Sequence, residues 1–244
     1  MIYFKNWLFI IFVKVINKYG RFFFLSKVKF SSKRILEKNF KEKKKFNFIQ
    51  VGANDGISFD FLYDFVIKRD SSGVVIEPVI EYFKELEYNY KDYEKIIKIN
   101  QAVHPFYTEV IINRINPHVI QKYPDWVKGI ASLDSKHHKK TGIDSNDIIQ
   151  EKVKSDTLMN IIKINFYSNT SLDYLQIDTE GFDYEVIKMI DFSFIKPKII
   201  KYEYVNLNKE DQNRVCFLLK KQGYYLFNEF GDTIGINLKN IKLI

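Results

Sequence analysis

The sequence predicts an α/β fold in which a mostly parallel sheet carries helices on both faces and ends in an antiparallel hairpin. Three observations predict it. Short runs rich in β-branched and aromatic residues alternate with segments whose apolar residues recur at helical spacing. The first of these runs ends at Val51-Gly52, as a strand does when it enters a tight turn. The last two, 224–230 and 233–238, are separated only by Gly231-Asp232, which is hairpin chemistry.

Along the chain, Lys41-Glu42-Lys43-Lys44-Lys45 is a solvated linker, and Phe46-Asn47-Phe48-Ile49-Gln50-Val51 follows it as the first strand. Residues 57–69 read as a helix with Phe59, Leu62, Phe65 and Val66 on one face. Gly73-Val74-Val75-Ile76 is a β-branched run stopped by Glu77 and Pro78; a helix from about 79 to 90 and a third strand, Ile96 to Asn100, come next. This rhythm of strand and helix argues for parallel pairing. Residues 104–157 are less regular, with Val110-Ile111-Ile112 as one strand of a small hairpin and a polar loop over 132–150. Regularity returns with a strand over 172–178, a helix over 182–190, a strand over 198–203 and a helix over 209–222 closed by Gly223. The main sheet then has seven strands, and the chain divides into an extension, 1–45, and a domain, 46–244.

At 244 residues and 46% hydrophobic, the chain can bury one substantial core. Its lone cysteine, Cys216, sits in an apolar run and reads as a core thiol; a disulfide framework and a cysteine metal cluster are excluded. The net charge of +8 is unevenly placed. Residues 1–45 hold 13 basic and two acidic residues, a net of +11, which leaves residues 46–244 at −3. Only five of the 38 basic residues are arginine, the side chain suited to bidentate readout of phosphate and guanine, so no nucleic-acid partner is predicted. An AT-rich coding sequence would produce the same lysine and asparagine excess.

The apolar stretch Trp7 to Val13 is bracketed by Lys5 and Lys14 and is far short of the roughly twenty residues a membrane span needs. No small-residue cleavage site follows it, so a secretory signal is not predicted either. Two readings stay open for residues 1–45: a peripheral membrane contact built from lysines and aromatics, Phe22, Phe23 and Phe24 among them, and a helix that covers the domain. The protein is expected in the cytoplasm, held at a membrane surface in the first reading.

In open α/β sheets, ligands sit beyond the carboxyl ends of the strands near the switch point. That rule gathers Gly52 to Gly56, Glu77, Gln101-Ala102 and Asp178 to Glu180 around one crevice. Glycines at 52 and 56 permit a tight turn and a close backbone approach to a ligand, and Asn54 and Asp55 add polar groups there. Glu77, 25 residues after Gly52, stands where a carboxylate accepts hydrogen bonds from both hydroxyls of an adenosine ribose. The dinucleotide pattern requires a glycine where Asn54 stands, and no Gly-Lys-Ser/Thr follows for a P-loop. A cationic sulfonium suits this acidic turn better than pyrophosphate.

The segments Phe48-Ile49-Gln50-Val51-Gly52-Ala53-Asn54-Asp55-Gly56, Val75-Ile76-Glu77-Pro78, Leu175-Gln176-Ile177-Asp178-Thr179-Glu180-Gly181-Phe182-Asp183 and Lys201-Tyr202-Glu203 resemble the FkbM family of S-adenosylmethionine-dependent methyltransferases, over roughly residues 46–238. The resemblance implies a class I (Rossmann-like) methyltransferase fold. It also implies S-adenosylmethionine as cofactor, held by Val51, Gly52, Ala53, Asn54, Asp55, Gly56, Glu77, Pro78, Gln101, Ala102 and Ser132, and methylation of a hydroxyl on a sugar, glycan or other small metabolite. Gln176 departs from the family, where many members carry lysine.

An acceptor hydroxyl calls for a general base. Asp178 and Glu180, at the end of the fourth strand, are candidates because a desolvated carboxylate there gains proton affinity; the structural reading is that Asp178 caps the next helix and Glu180 positions a loop. His137 and His138 are further candidates, although histidines in a lysine-rich loop are usually solvated, and His104 before Pro105 reads as structural. Asp178, Glu180 and Glu203 offer oxygen ligands, but such carboxylates are common without metal and none is predicted. A nucleic-acid methyltransferase is the alternative enzyme class, disfavoured by Asp178-Thr179-Glu180-Gly181 standing where an Asn/Asp-Pro-Pro-Tyr element would be. A third class is a non-catalytic, membrane-associated binding module of the same fold.

Overall fold

The computed structural model describes residues 2–19, 27–59, 61–166 and 171–243. Phe22, Phe23 and Phe24 lie outside the described residues. In chain order the first half holds α1 (Ile2–Tyr19), α2 (Ser32–Asn39), β1 (Lys45–Val51), α3 (Leu62–Val66), β2 (Asp70–Ile76), α4 (Ile80–Asn89), β3 (Ile96–Ile99), β4 (Ala102–Val103) and β5 (Glu109–Ile115). The second half holds β6 (Ala131–Ser132), α5 (His138–Thr141), β7 (Ile148–Asp156), α6 (Leu158–Asn165), β8 (Tyr174–Ile177), α7 (Asp183–Lys188), β9 (Ile199–Glu203), α8 (Lys209–Lys221), β10 (Tyr224–Glu229) and β11 (Asp232–Asn237).

Seven strands form the main sheet in the order β3-β2-β1-β8-β9-β11-β10. All pairs from β3 to β9 are parallel, while β11 runs antiparallel between β9 and β10. The predicted mostly parallel sheet with a terminal hairpin is therefore observed. The switch point lies between β1 and β8, where consecutive connections leave in opposite directions.

The period of two along each strand sorts side chains onto the two faces. Phe46 and Phe48 of β1, Val75 of β2, Tyr174 of β8 and Ile199 of β9 enter one core cluster, together with Ile10, Ile35, Leu36, Phe65 and Leu86 from α1 to α4. Ile49 and Val51, Val74 and Ile76, Leu175 and Ile177 enter the other, with Ile161, Val186, Val215 and Leu219 from α6, α7 and α8. Both faces are covered, which is why the inner strands are near-continuous apolar runs. Local capping starts two of these helices: the side chains of Thr157 and Asn208 accept backbone N–H bonds from Asn160 and Asp211.

The N-terminal helix covers the domain. Asn6, fully enclosed, donates to the carbonyls of Leu238 (2.9 Å) and Ile241 (2.6 Å) and accepts from the Leu243 N–H (3.0 Å), so both chain ends are held together. Phe9 and Phe30 pack edge-on at 6.1 Å, and Phe30 contacts Tyr225 and Phe227 of β10.

Three expectations are corrected. The helix predicted over 57–69 is reduced to Leu62–Val66. Asp55 accepts hydrogen bonds from the Ile57 and Ser58 N–H groups and the Ser58 hydroxyl, which shapes a turn, and Phe59 adopts a left-handed φ of 72° and is 60% exposed instead of packing. The predicted loop over 132–150 contains α5, and its end begins β7, which pairs antiparallel with β5 over seven positions in a second, four-stranded sheet ordered β4-β7-β5-β6. The β7 run Ile148 to Asp156 buries only Val153 and Ser155, too sparse an alternation to stand out. Cys216 is half-buried on α8 rather than in the core.

Gly52 marks where β1 meets the tip of β8. It has φ of 75°, and a Cβ there would lie 1.7 Å from the Asp178 carbonyl oxygen. Gly52→Ala is therefore expected to destabilise the fold by about 3 kcal/mol or more, since both the dihedral and the backbone contact oppose it. A urea unfolding curve measures this, and a variant within about 0.5 kcal/mol of the parent would show that the loop relaxes freely.

Candidate active site

The turn after β1 is clamped to the tip of β2. Backbone N–H groups of Gly52 and Ala53 both donate to the Ile76 carbonyl at 3.0 Å. One residue on, the Asn54 N–H donates to Glu77 Oε2 at 2.8 Å, while Glu77 Oε1 accepts from the Val79 N–H at 2.9 Å. The third strand joins them, because the Asn100 side-chain amide donates to the carbonyls of Glu77 (2.9 Å) and Pro78 (3.0 Å). Burial pushes the Glu77 carboxyl up to about 7, against the two N–H groups, which favour its charged form. Each oxygen keeps a lone pair for a further donor.

A cavity of about 250 Å³ opens over these strand tips. Val51, Gly52, Ala53, Asn54, Glu77, Pro78, Gln101, Ala102, Asp178 and Glu180 all line it, so four separated stretches do meet at one crevice. Asp55, Gly56, Ser132 and His137 stand outside the wall. The Asp55 carboxylate is engaged by its own turn. Gly56 has φ of 82° and faces Leu86 and Tyr90, where a Cβ would collide. The Ser132 hydroxyl donates to the Glu180 carbonyl at 2.8 Å.

His137 departs most from expectation, being 2% exposed rather than solvated. Its Nε2 lies 2.9 Å from Glu180 Oε2, without the alignment of a hydrogen bond. The ring lies against Glu180 outside the cavity wall. His104 is structural: its Nδ1 accepts from Phe106 and Tyr107, and its ring stacks on the cavity residue Phe182 at 5.5 Å.

The end of β8 concentrates negative charge. Oxygens of Asp178, Glu180 and Glu203 lie within 4.8 Å of one another, and the Asn206 amide donates to both Glu180 (2.8 Å) and Glu203 (2.7 Å). Asp178 is exposed where it opens onto the cavity, at a crowded strand end. Desolvation by that crowding, with Glu180, Asp183 and Asp232 nearby, holds its carboxyl well above the usual range, and Lys201 opposes them. Burial raises Glu203 to about 8, with Asp178 and Glu180 adding to it. Burial likewise raises Asp183 to about 8, against the Thr179 hydroxyl, which donates to it at 2.9 Å. A triad of this kind has the donor atoms for a hard cation and the geometry to share protons.

Backbone strain is focused here. Among the described residues five non-glycine positions have positive φ, and three of them, Asn54 (50°), Phe59 (72°) and Glu180 (52°), line this cavity. Such conformations persist where surrounding contacts over-determine them. The Asn54 amide donates to the Lys128 carbonyl (3.0 Å), and Glu180 is gripped by Ser132, Asn206 and His137.

Sequence reasoning missed the cavity floor. Gln50, Gln176 and Lys201 are register partners on β1, β8 and β9, and all three line the cavity on the face that further back carries Phe48, Tyr174 and Ile199. Polar residues at the alternate position of otherwise apolar strands were the available signal. The ammonium of Lys201 thus stands one strand over from Gln176, and it pairs with Asp232 at 3.0 Å. The second sheet and its connections supply the opposite wall through Ile112, Trp126, Gly129, Ala131 and Leu133.

Solved structures similar to this chain include the fibrillarin pre-rRNA processing protein of Methanococcus jannaschii, at 15% identity over 80% of this chain and 67% of that one, with a TM-score of 0.40. The methyltransferase domain of METTL16 is similar at 11% identity over 84% of this chain and 65% of its own, with a TM-score of 0.45. A methyltransferase FkbM from Methylobacillus flagellatus KT is similar at 12% identity over 78% of this chain and 43% of its own, also with a TM-score of 0.45. This chain thus spans about two thirds or less of each of these proteins. No curated protein sequence matches it. The model of the methyltransferase FkbM domain matches residues 50–226, which include the clamped turn, Glu77, the acidic strand end and the floor, and the chain therefore belongs to the FkbM methyltransferase family.

Proposed function

We propose that this chain is an S-adenosylmethionine-dependent O-methyltransferase acting on a hydroxyl of a sugar, glycan or other small metabolite. The observation that carries the reading is that one cavity has two carboxylates of raised proton affinity at separate places, Glu77 beside the glycine turn and Asp178 at the acidic strand end. The donor set fits the cofactor. Glu77 would receive the ribose hydroxyls, Pro78, Gln101 and Ala102 would border the adenine, and Val51 to Asn54 would back the amino-acid portion. Glu180, and Asp178 once ionised, would offer negative charge to a sulfonium.

When bound, S-adenosylmethionine supplies a methyl group on a positively charged sulfur. The protein aligns the acceptor with that carbon and removes a proton. In the proposed step Asp178 would take the hydroxyl proton of an acceptor aligned with the methyl group that the bound cofactor would supply, with S-adenosylhomocysteine as the leaving product. Glu180, held by Ser132, Asn206 and His137, keeps the local field negative. Asp55, Gly56, Ser132 and His137 then serve as positioning residues.

A small, ring-shaped acceptor is favoured by the wall and the charge. Trp126 and Phe59 line the cavity at 50% and 60% exposure, and flat aromatic faces of this kind pack against the C–H faces of sugars. Negative charge on the acidic residues that line the cavity would repel a polyphosphate backbone.

Glu77→Gln is expected to weaken S-adenosylmethionine binding about tenfold or more at pH 8, because a charge-assisted hydrogen bond becomes a neutral one. Calorimetry would read this, and an unchanged Kd would remove Glu77 from the cofactor site. Asp178 must be unprotonated to accept the proton, and its affinity for protons is raised. The rate should therefore climb with pH above the range where ordinary carboxylates have already ionised, and Asp178→Asn should lower kcat about 100-fold or more and abolish that climb. A pH–rate profile that keeps the climb in the variant would place the base elsewhere. Trp126→Ala should raise KM for a sugar acceptor about three- to tenfold with little change in kcat, followed as S-adenosylhomocysteine release across a panel of hydroxylated glycans and lipid-linked sugars; a loss confined to kcat would contradict the stacking role.

A further inference from the structure

Helix α1 has an inner face that is fully committed and an outer face that has no partner among the described residues. Inward, Asn6, Ile10 and Val13 are buried against the core and the C-terminal segment. Asn17 is tied to Val28 by a reciprocal pair of hydrogen bonds, so the helix cannot roll to hide its other side without breaking both anchors. Outward, Phe4, Leu8, Ile11 and Val15 follow one another at spacings of four, three and four, which makes a single stripe. Phe4 is 61% exposed and Phe12, beside the stripe, 56%. Trp7 and Tyr3 flank it on one side, Phe12 and Tyr19 on the other. A helix that is apolar all round is normally buried on all sides, and an exposed apolar patch of this extent marks an interaction site.

The charges around it identify the partner. Residues 1–36 contain eight lysines and arginines and no acidic residue, since Glu37 is the first. On the helical projection Lys14 and Lys18 border the stripe on one side and Lys5 on the other, where long side chains extend past an apolar contact to reach an anionic surface. Trp7, Tyr3 and Tyr19 are amphipathic rings of the type enriched at bilayer interfaces. No described helix is long and apolar enough to cross a membrane. A second copy of this chain would bring two faces of the same positive sign together, which opposes self-association.

We propose that α1 docks the protein flat on the surface of an anionic lipid bilayer, with Phe4, Leu8, Ile11 and Val15 inserted among the upper acyl chains and Lys5, Lys14 and Lys18 against the headgroups. The inner face stays packed on the domain, so docking requires no unfolding. This surface is independent of the reaction proposed above.

The test is flotation of the full chain with vesicles of phosphatidylcholine alone and of phosphatidylcholine mixed with phosphatidylglycerol. The parent should float with the mixed vesicles, about tenfold less with the neutral ones, and be released from the mixed ones by high salt. The double variant Phe4→Glu, Leu8→Glu should keep the parent's melting temperature, because both side chains already face solvent, and lose about tenfold or more of the flotation. A second variant, Lys5→Gln, Lys14→Gln, Lys18→Gln, should weaken binding while leaving the apolar stripe intact. Failure of the parent to float with mixed vesicles would overturn the proposal. So would equal flotation of parent and Phe4→Glu, Leu8→Glu, or light scattering that finds a lipid-free dimer abolished by that double variant.

Discussion

The site depends on a backbone constraint: the turn after β1 is bonded to the tip of β2 through the Gly52, Ala53 and Asn54 N–H groups, the last of them to a side-chain carboxylate. A parallel sheet leaves peptide donors at strand ends without partners, and these must be satisfied where they are enclosed. Glu77 satisfies two of them and, being buried, is fixed in orientation. Gly52 lets the turn press against the Asp178 carbonyl, so the motifs at 48–56, 75–78 and 175–183 are joined at backbone level before any side chain meets a ligand.

Around that joint the protein accumulates features that cost stability. Left-handed asparagine, phenylalanine and glutamate, and the Glu77 and Asp178 carboxyls, whose proton affinity is raised by desolvation, all converge on the cavity. Each is unfavourable alone and is held by neighbours: Asn54 by the Lys128 carbonyl, Glu180 by Ser132 and Asn206. Concentrated strain and unneutralised charge are characteristic of surfaces shaped for a ligand. The two apolar cores on either face of the sheet supply the stability that tolerates this.

Much of the scaffold was legible in the chain because its signals are local. Glycine after an apolar run, β-branched residues stopped by acid and proline, and helical spacing after each are consequences of neighbouring residues, and they located β1, β2, α4, β3, β8, β9, α8 and the hairpin. Signals that depend on partners far along the chain were weak. β7 pairs with β5 some forty residues earlier, and its own pattern is diluted because one face meets solvent. The short α3 failed as a prediction because Asp55 turns its hydrogen bonds onto the segment that would have started the helix.

The family and its crevice motifs were thus written in residue order, because turn geometry and strand register need only adjacent residues and period two. The burial of His137 against Glu180 and the row of Gln50, Gln176 and Lys201 followed from which strands became neighbours. So did the outward face of α1, since the same apolar helix could have been buried on every side. These outcomes belong to three dimensions for one reason: whether a polar group is desolvated, or an apolar one left in water, is a property of what packs against it, and those partners are hundreds of bonds away along the chain.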